Sequence, residues 1–421
     1  MFWWAKNLES RALNFVGEAI QLLTKESKGG LVMYPSGREY LINQGDILRY
    51  EFITSSIEDM LETNQNLSEV TKFRIINDTL ISIKKKRLAY KSFLNIVQDK
   101  YQEAISKPTK WMYVGSHVSL DAQKFTKPLD FYFEGARIRV CPSRPKILKQ
   151  REIFISGFGD VPNEAPPRWA YMYTKAVGVD EDEAVEKAAR RLETVRSVLN
   201  FVVNIDSKNI NLGAPRPKNK IVVPKYQFIF DQQGNPSDRR IIWHPSHPGA
   251  EQIQEFRFQS NRFFDAVRFS WNRIHENSMK EELLYVLRLY CEALDETEDM
   301  QCLIKLWTAA EALTKSQDTK AIAHRLSYIH EHPDHHKENI LSIGRIRHRW
   351  IHHMRRKQEI QAAIIFLRDY IEKFIVFILE FRHGHGDLHA LCRALDEPVS
   401  LTALHEKQAR LSLALKIRER T

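Results

Sequence analysis

The densest set of chemically capable side chains lies in Ile343-Gly-Arg345-Ile-Arg347-His348-Arg349-Trp350-Ile351-His352-His353-Met354-Arg355-Arg356-Lys357. No acidic residue interrupts the chain between Leu341 and Gln358. At about 100° per residue, Ile343, Ile346, Trp350 and Met354 share one helical face. His348 and His352 stack on the opposite side with Arg345, Arg355 and Arg356, and Arg347 falls at the edge of the apolar face. A histidine near neutral pKa can take or deliver a proton. An arginine fork can hold a phosphate and the charge that builds on it. RNA supplies its own nucleophile, the 2′-OH, so these residue types suffice to cut RNA without a metal. So many cations on one stripe repel one another. Something anionic must offset them, either a phosphate or an acid from another helix. Glu311, in Trp307-Thr-Ala-Ala-Glu311, is the internal candidate. From charge alone, an ordinary solvated basic face is the better explanation of the stripe.

Other constellations compete less well. His383-Gly-His385-Gly-Asp387-Leu-His389 and the group His330, His332, Asp334, His335 and His336 contain ligand types, but neither matches a zinc spacing. His348 and His352 lack the Glu that a zinc-protease helix carries after its first His. No metal or other cofactor is therefore expected. Gly157-Phe-Gly159 is too short for a dinucleotide loop and no GxxxxGK[ST] occurs, which removes support for nucleotide hydrolysis. The aromatics Phe131, Tyr132, Phe133, Tyr171, Tyr173, Tyr226 and Phe228 could stack on bases, although alternating strand positions more often face a core.

The elements that must position these residues follow from length and pattern. At 421 residues the chain exceeds one ordinary core, and 43% apolar with 28% charged residues suits a globular protein. Cys141, Cys291, Cys302 and Cys392 are too scattered for a disulfide framework. The start, MFWWAKNLESRALNF, meets charge too early for a signal peptide. The best apolar window, Ala362 to Phe381, is broken by Arg368, Asp369, Glu372 and Lys373, so no membrane span and a cytoplasmic location are expected. Of the +10 net charge, residues 1–250 supply 37 Lys+Arg against 28 Asp+Glu and residues 251–421 supply 26 against 25. The basic excess favours a polyanion partner.

Three regions are expected. Residues 1–110 read as mostly helical, with periodic stretches at Ala12–Leu23 and Ile75–Ile105 and a basic run, Lys84-Lys85-Lys86-Arg87, taken as a solvated helix face. Residues 111–250 read as a small α/β domain for sensing or RNA positioning. Its strands lie around Phe131–Phe133, Ile138–Val140, Ile153–Ile155, Tyr171–Val177 and Ile221–Phe230, and a long helix opens at Asp180. Residues 251–421 read as an all-α bundle, with helices near 252–277, 280–297, 299–316, 319–331, 336–354 and 357–382 and two shorter ones after them. Glycine is scarce there, as a bundle wants.

With Arg347, a polar residue at His348 and then His352, the motif fits the pattern of HEPN ribonucleases. Its surroundings, LIKLWTAAEAL at 303–313, Lys320-Ala-Ile-Ala-His-Arg325-Leu, the Arg/His helix and the long apolar helix after Lys357, resemble the Apea-like HEPN family over roughly residues 251–382. The helix at 179–199 resembles the region such proteins carry upstream. The resemblance implies a C-terminal HEPN helical bundle and a metal-independent endoribonuclease that leaves 2′,3′-cyclic phosphate and 5′-OH ends. Arg347, His348 and His352 would be catalytic. Arg345, Arg349, His353, Arg355 and Arg356 would contact RNA, with Glu311 and Arg325 in support. It also implies a homodimer through the bundle, which would bring two motifs to one cleft, since Arg347 and His352 lie about 140° apart on one ideal helix. Such proteins act as toxins or antiphage effectors answering to a phage-derived trigger or inhibitor. Two other readings stand beside this one: a HEPN domain without catalysis that binds RNA or a nucleotide, and a structural dimerisation module.

Overall fold

The computed structural model describes residues 2–5, 7–23, 47–63, 69–106, 110–125, 127–148, 153–155, 159–161, 168–206, 217–224, 226–243, 261–350, 357–380, 386–397 and 400–418. The chain divides into two units, one formed by residues 1–114, 175–189 and 230–232, the other by residues 115–174, 190–229 and 233–421.

The first unit begins with strand β1 (Phe2–Trp4) and helices α1 (Glu9–Leu22) and α2 (Ile47–Met60). Strand β2 (Leu61–Thr63) pairs antiparallel with β1, and helices α3 (Glu69–Lys86) and α4 (Phe93–Ser106) follow. Apolar residues three and four apart on each helix meet in one core. Val16 and Ile20 of α1, Ile53 and Ile57 of α2, Ile76 and Leu80 of α3 and Phe93 and Val97 of α4 all lie in it. Lys84, Lys85 and Lys86 form the last turn of α3, where cations suit the helix dipole. Lys84 Nζ donates to the carbonyl of Ile20 at the end of α1 (3.1 Å), so this part of the basic run is partly structural.

Next come β3 (Lys110–Asp121), β4 (Leu129–Phe133), β5 (Ala136–Cys141), β6 (Ile153–Ile155), β7 (Gly159–Val161) and β8 (Trp169–Gly178). Helix α5 (Glu181–Asp206) follows, then β9 (Tyr226–Phe230) and β10 (Pro236–Trp243). A six-stranded sheet runs in the order β10-β9-β3-β8-β5-β4, with the β4–β5 and β5–β8 pairs antiparallel, and β6 and β7 pair separately. The expected strands at Phe131, Ile138, Ile153 and Tyr171 are present. The expected strand from Ile221 is shorter, beginning at Tyr226. Ile221, Val222 and Val223 are buried without joining a strand, because side chains meet part of their backbone need: Asn200 Oδ1 accepts from Ile221 N (2.9 Å) and Ser119 Oγ from Val222 N (2.9 Å). Helix α5 starts at a reciprocal cap. Asp180 Oδ1 accepts from Glu183 N (2.8 Å), while Glu183 Oε2 accepts from Val179 N (2.6 Å).

From residue 261 on, the described residues form helices and no strand. These are α6 (Asn261–Glu276), α7 (Lys280–Asp295), α8 (Asp299–Thr314), α9 (Thr319–Ser327), α10 (Pro333–Trp350), α11 (Lys357–Glu380), α12 (Leu388–Leu395) and α13 (Leu401–Arg418). A mixed α/β N-terminal and middle region is thus followed by an all-α region. Side-chain caps fix three starts: Glu298 on α8, Asp318 on α9 and Asp387 on α12. Among the described residues no helix is long and apolar enough to cross a membrane.

Candidate functional site

Helix α10 carries the described part of the Arg/His motif. Ile340 and Ile343 are buried, as is Gly344, while Arg345 and His348 are exposed. Gly344 has a specific use. A Cβ there would meet Thr319 Cγ2 at 2.7 Å and Trp307 Cη2 at 3.0 Å, so glycine lets α10 lie close against the fully buried indole of α8. Arg347, three residues further on the same face, then sets its guanidinium carbon 5.4 Å from the centroid of that ring, within cation–π range.

Glu311 sits one turn beyond Trp307 on α8, and its Oε1 lies 3.6 Å from Arg347 Nη1. Beyond ordinary hydrogen-bond length, this contact neutralises the guanidinium in part without saturating its fork. The side chains of Arg347 and Glu311 are 33% and 21% exposed, so the fork reaches solvent beside an acid and an aromatic face. Arg345 sits at the solvent edge, 3.9 Å from Glu338. Arg349 belongs to α10, but its side chain lies outside the described residues, as do all of His352, His353, Arg355 and Arg356.

Arg325 is engaged in structure. It grips Asp396 through Nε and Nη2 (2.8 and 2.6 Å) and donates from Nη1 to the carbonyl of Thr314 (2.5 Å). This ties the ends of α8, α9 and α12 together. The hydrogen bonds to Arg325 hold the Asp396 carboxyl below its ordinary range, and the same pairing raises the arginine.

Of the histidine clusters, His383 and His385 lie outside the described residues, Asp387 caps α12, and His389 is exposed on it. The cluster before and within α10 is packed rather than fully solvated. His330 stacks on His336 (centroids 4.1 Å apart), and His336 Nδ1 is hydrogen-bonded to the Tyr370 hydroxyl at 2.9 Å. Burial first, then the neighbouring His336 and Lys373, pushes the His330 imidazole down to about 4, and burial lowers His336 as well.

A buried polar network joins α5 to α7, unread in the sequence. On α5, Arg196, Asn200 and Asn204 recur every four residues beside the apolar seam, and all three are buried. Arg196 donates to Asp295 Oδ1 (3.0 Å) and to Glu193 Oε1 (2.6 Å). Asn219 donates to Asp295 Oδ1 (2.8 Å) and to the carbonyl of Cys291 (2.7 Å). Lys218 Nζ, fully buried, lies 3.0 Å from Asp299. Glu193, Cys291 and Asp295 bring ligand atoms within 4.8 Å of one another, the only such group of three among the described residues. Arg196 already supplies a cation to both carboxylates, and burial pushes the Cys291 thiol well up despite that arginine. The group therefore holds a guanidinium, and the four-residue polar stripe on α5 was the signal for it.

Comparisons of the chain with protein-family models, curated proteins and solved structures find no significant match.

Proposed function

We propose that the C-terminal helices form a HEPN-type bundle and that the chain is a metal-independent endoribonuclease, acting as a homodimer. The observation that carries this reading is Arg347. Its guanidinium is held at the solvent edge of α10 by Trp307 and Glu311, with His348 exposed beside it. Supporting it is the acid-free run from Ser342 to Lys357, which continues the basic stripe to His352.

In the proposed reaction a histidine, His352 or His348, removes the 2′-OH proton. The 2′-oxygen bonds to the adjacent phosphorus as the bond from phosphorus to the 5′-oxygen breaks, and a second histidine protonates the departing oxygen. Arg347 holds the non-bridging oxygens on which charge builds. The products are a 2′,3′-cyclic phosphate and a 5′-OH. Two chains related by a two-fold axis would supply both histidines and both arginines to one phosphate. A growth-arresting toxin or antiphage effector, located in the cytoplasm, is the role that fits this chemistry.

The test compares wild type with His352→Ala by RNA profiling and end-group mapping. The variant is expected to keep wild-type circular dichroism and lose about 10²–10⁴-fold in cleavage rate, and wild-type cleavage is expected to persist in EDTA. Excess Arg347→Ala/His352→Ala chains mixed with wild type should depress activity beyond simple dilution. A folded His352→Ala that cuts at the wild-type rate would falsify the assignment.

A further inference from the structure

The three aromatics of β4 fall on the two faces of the sheet. Phe131 and Phe133 are buried on one face with Ile138 and Val140. Tyr132 lies on the other and is 62% exposed. Residues directly opposed in antiparallel strands share a face and lie about 5 Å apart. The register opposes Tyr132 to Arg137, Asp130 to Arg139, and Arg139 to Tyr173. Two tyrosines and two arginines are thereby gathered on one side of three adjacent strands.

Asp130 organises the arginines. It accepts from Arg137 Nε and Nη2 (2.8 and 2.6 Å) and from Arg139 Nε (2.8 Å). A guanidinium carries five N–H donors, so both forks retain donors for a further acceptor. The arrangement repeats at the tip of the same hairpin, where Glu134 meets both Arg190 (2.6 Å) and Arg191 (3.4 Å). Asp130 carries both Arg137 and Arg139, so this trio has one positive charge in surplus.

We infer that the outer face of β4, β5 and β8 is a binding platform for single-stranded RNA. Tyr132 stacks on an unpaired base, Tyr173 borders it, and Arg137 and Arg139 take the flanking phosphates. Stacking on an exposed aromatic combined with arginine contacts is how unpaired strands are gripped, whereas a duplex hides the faces of its bases. A protein partner fits less well. Asp130, Tyr132, Arg137, Arg139 and Tyr173 include no aliphatic side chain from which to build a desolvated centre. The inference rests on the reading that this chain acts on RNA, and it assigns the middle region the task of holding substrate.

The test measures fluorescence anisotropy of a labelled uridine homopolymer of about twelve nucleotides, within the roughly 4–16 of such sites. The full chain is used, carrying His352→Ala so that the probe survives. In that background Tyr132→Ala is expected to weaken binding about five- to a hundredfold, and Tyr132→Phe, which keeps the stacking face, to stay within about twofold. Arg137→Ala should reduce the slope of log affinity against log salt by about 0.7. A duplex of the same length should bind without sensitivity to Tyr132. Unchanged affinity in Tyr132→Ala, equal losses in the Ala and Phe variants, or no binding by the parent would each overturn the platform, and the last would leave the face to a protein. Cleavage by the chain with His352 intact is read separately. Cutting with unchanged Tyr132→Ala affinity removes the platform and spares the ribonuclease. Tyr132-dependent binding with no cutting supports the platform and removes the ribonuclease.

Discussion

Replacing Arg347 by alanine separates packing from chemistry, because the two contributions differ in size. The substitution removes a guanidinium 3.6 Å from Glu311 and 5.4 Å from the Trp307 ring centroid. With a third of the arginine side chain in solvent, the ion pair contributes about 0.2–1 kcal/mol. The cation–π contact at such a site adds about 0.5–1 kcal/mol. A loss of about 1–2 kcal/mol is small against the roughly 5–15 kcal/mol of a typical native state, so Arg347→Ala should fold. A guanidinium on the reacting phosphate is a different matter. Losing one preorganised donor to developing charge costs about 10²–10³ in rate. The expected outcome is a modestly lower urea midpoint with cleavage of a labelled RNA down at least about a hundredfold. Arg347→Lys sharpens the comparison. It keeps the charge near Glu311 and Trp307 but loses the planar fork, so stability should recover while cleavage stays low. A folded Arg347→Ala that cuts at the wild-type rate refutes the role. So does a loss of cleavage that vanishes on cooling to a temperature at which the variant is as fully folded as wild type.

Two further predictions concern the frame that holds the site. Burial lifts Glu372 to about 7, while Arg368, 3.0 Å away, and the Tyr290 hydroxyl pull it down. With its folded value raised above the ordinary 4.5, the native state holds a proton that the unfolded chain has lost between those pH values. Stability from this group is therefore full below about 4.5 and is lost as pH rises through 7. At about 1.4 kcal/mol per pKa unit the shift is worth on the order of 3 kcal/mol. Glu372→Gln should gain on wild type by that order between pH 4.5 and 8 in urea titrations, and a pH-independent difference would show the carboxyl ionised throughout. At Gly344, alanine improves helix propensity by about 1 kcal/mol but drives a Cβ into Thr319 and Trp307, an overpacking of about 1–3 kcal/mol. Gly344→Ala should be neutral to destabilising and Gly344→Val worse. Adding Thr319→Ser, which removes the closest methyl, should restore the alanine variant, and failure to do so would place the strain elsewhere.

Helical periodicity is a property of neighbours three and four apart, which is why the helices at 261–350 and 357–380 are legible in the chain. The capped starts at Glu298 and Asp318, the apolar rows of α7, α8 and α11, and the polar stripe of α10 are all local patterns. The same reasoning put Arg347 at the boundary between apolar and solvent faces, and α10 carries it there, partly exposed. Strands β3 and β10 went unread. Much of β3 is buried on both faces, with Gly115, Ser116 and Ser119 among its buried residues, so it shows no alternation, and Gly115 makes sense only beside Tyr171. Helix α2 falls within the region expected to be mostly helical, but no periodic stretch marked its span.

What the amino-acid sequence determined by itself is the class of each region and the chemical inventory of α10. Propensity, capping and hydrophobic period act over a single turn and need no distant partner. Which of these groups meet depends on packing between distant parts of the chain. Arg196 finds Asp295 across 99 residues of chain, and Arg347 finds Trp307 across 40, through the gap left by Gly344. Tyr132 is turned outward while Phe131 and Phe133 turn in. Each of these depends on a register or a helix crossing set by the packing of the whole core, to which no short stretch of sequence has access.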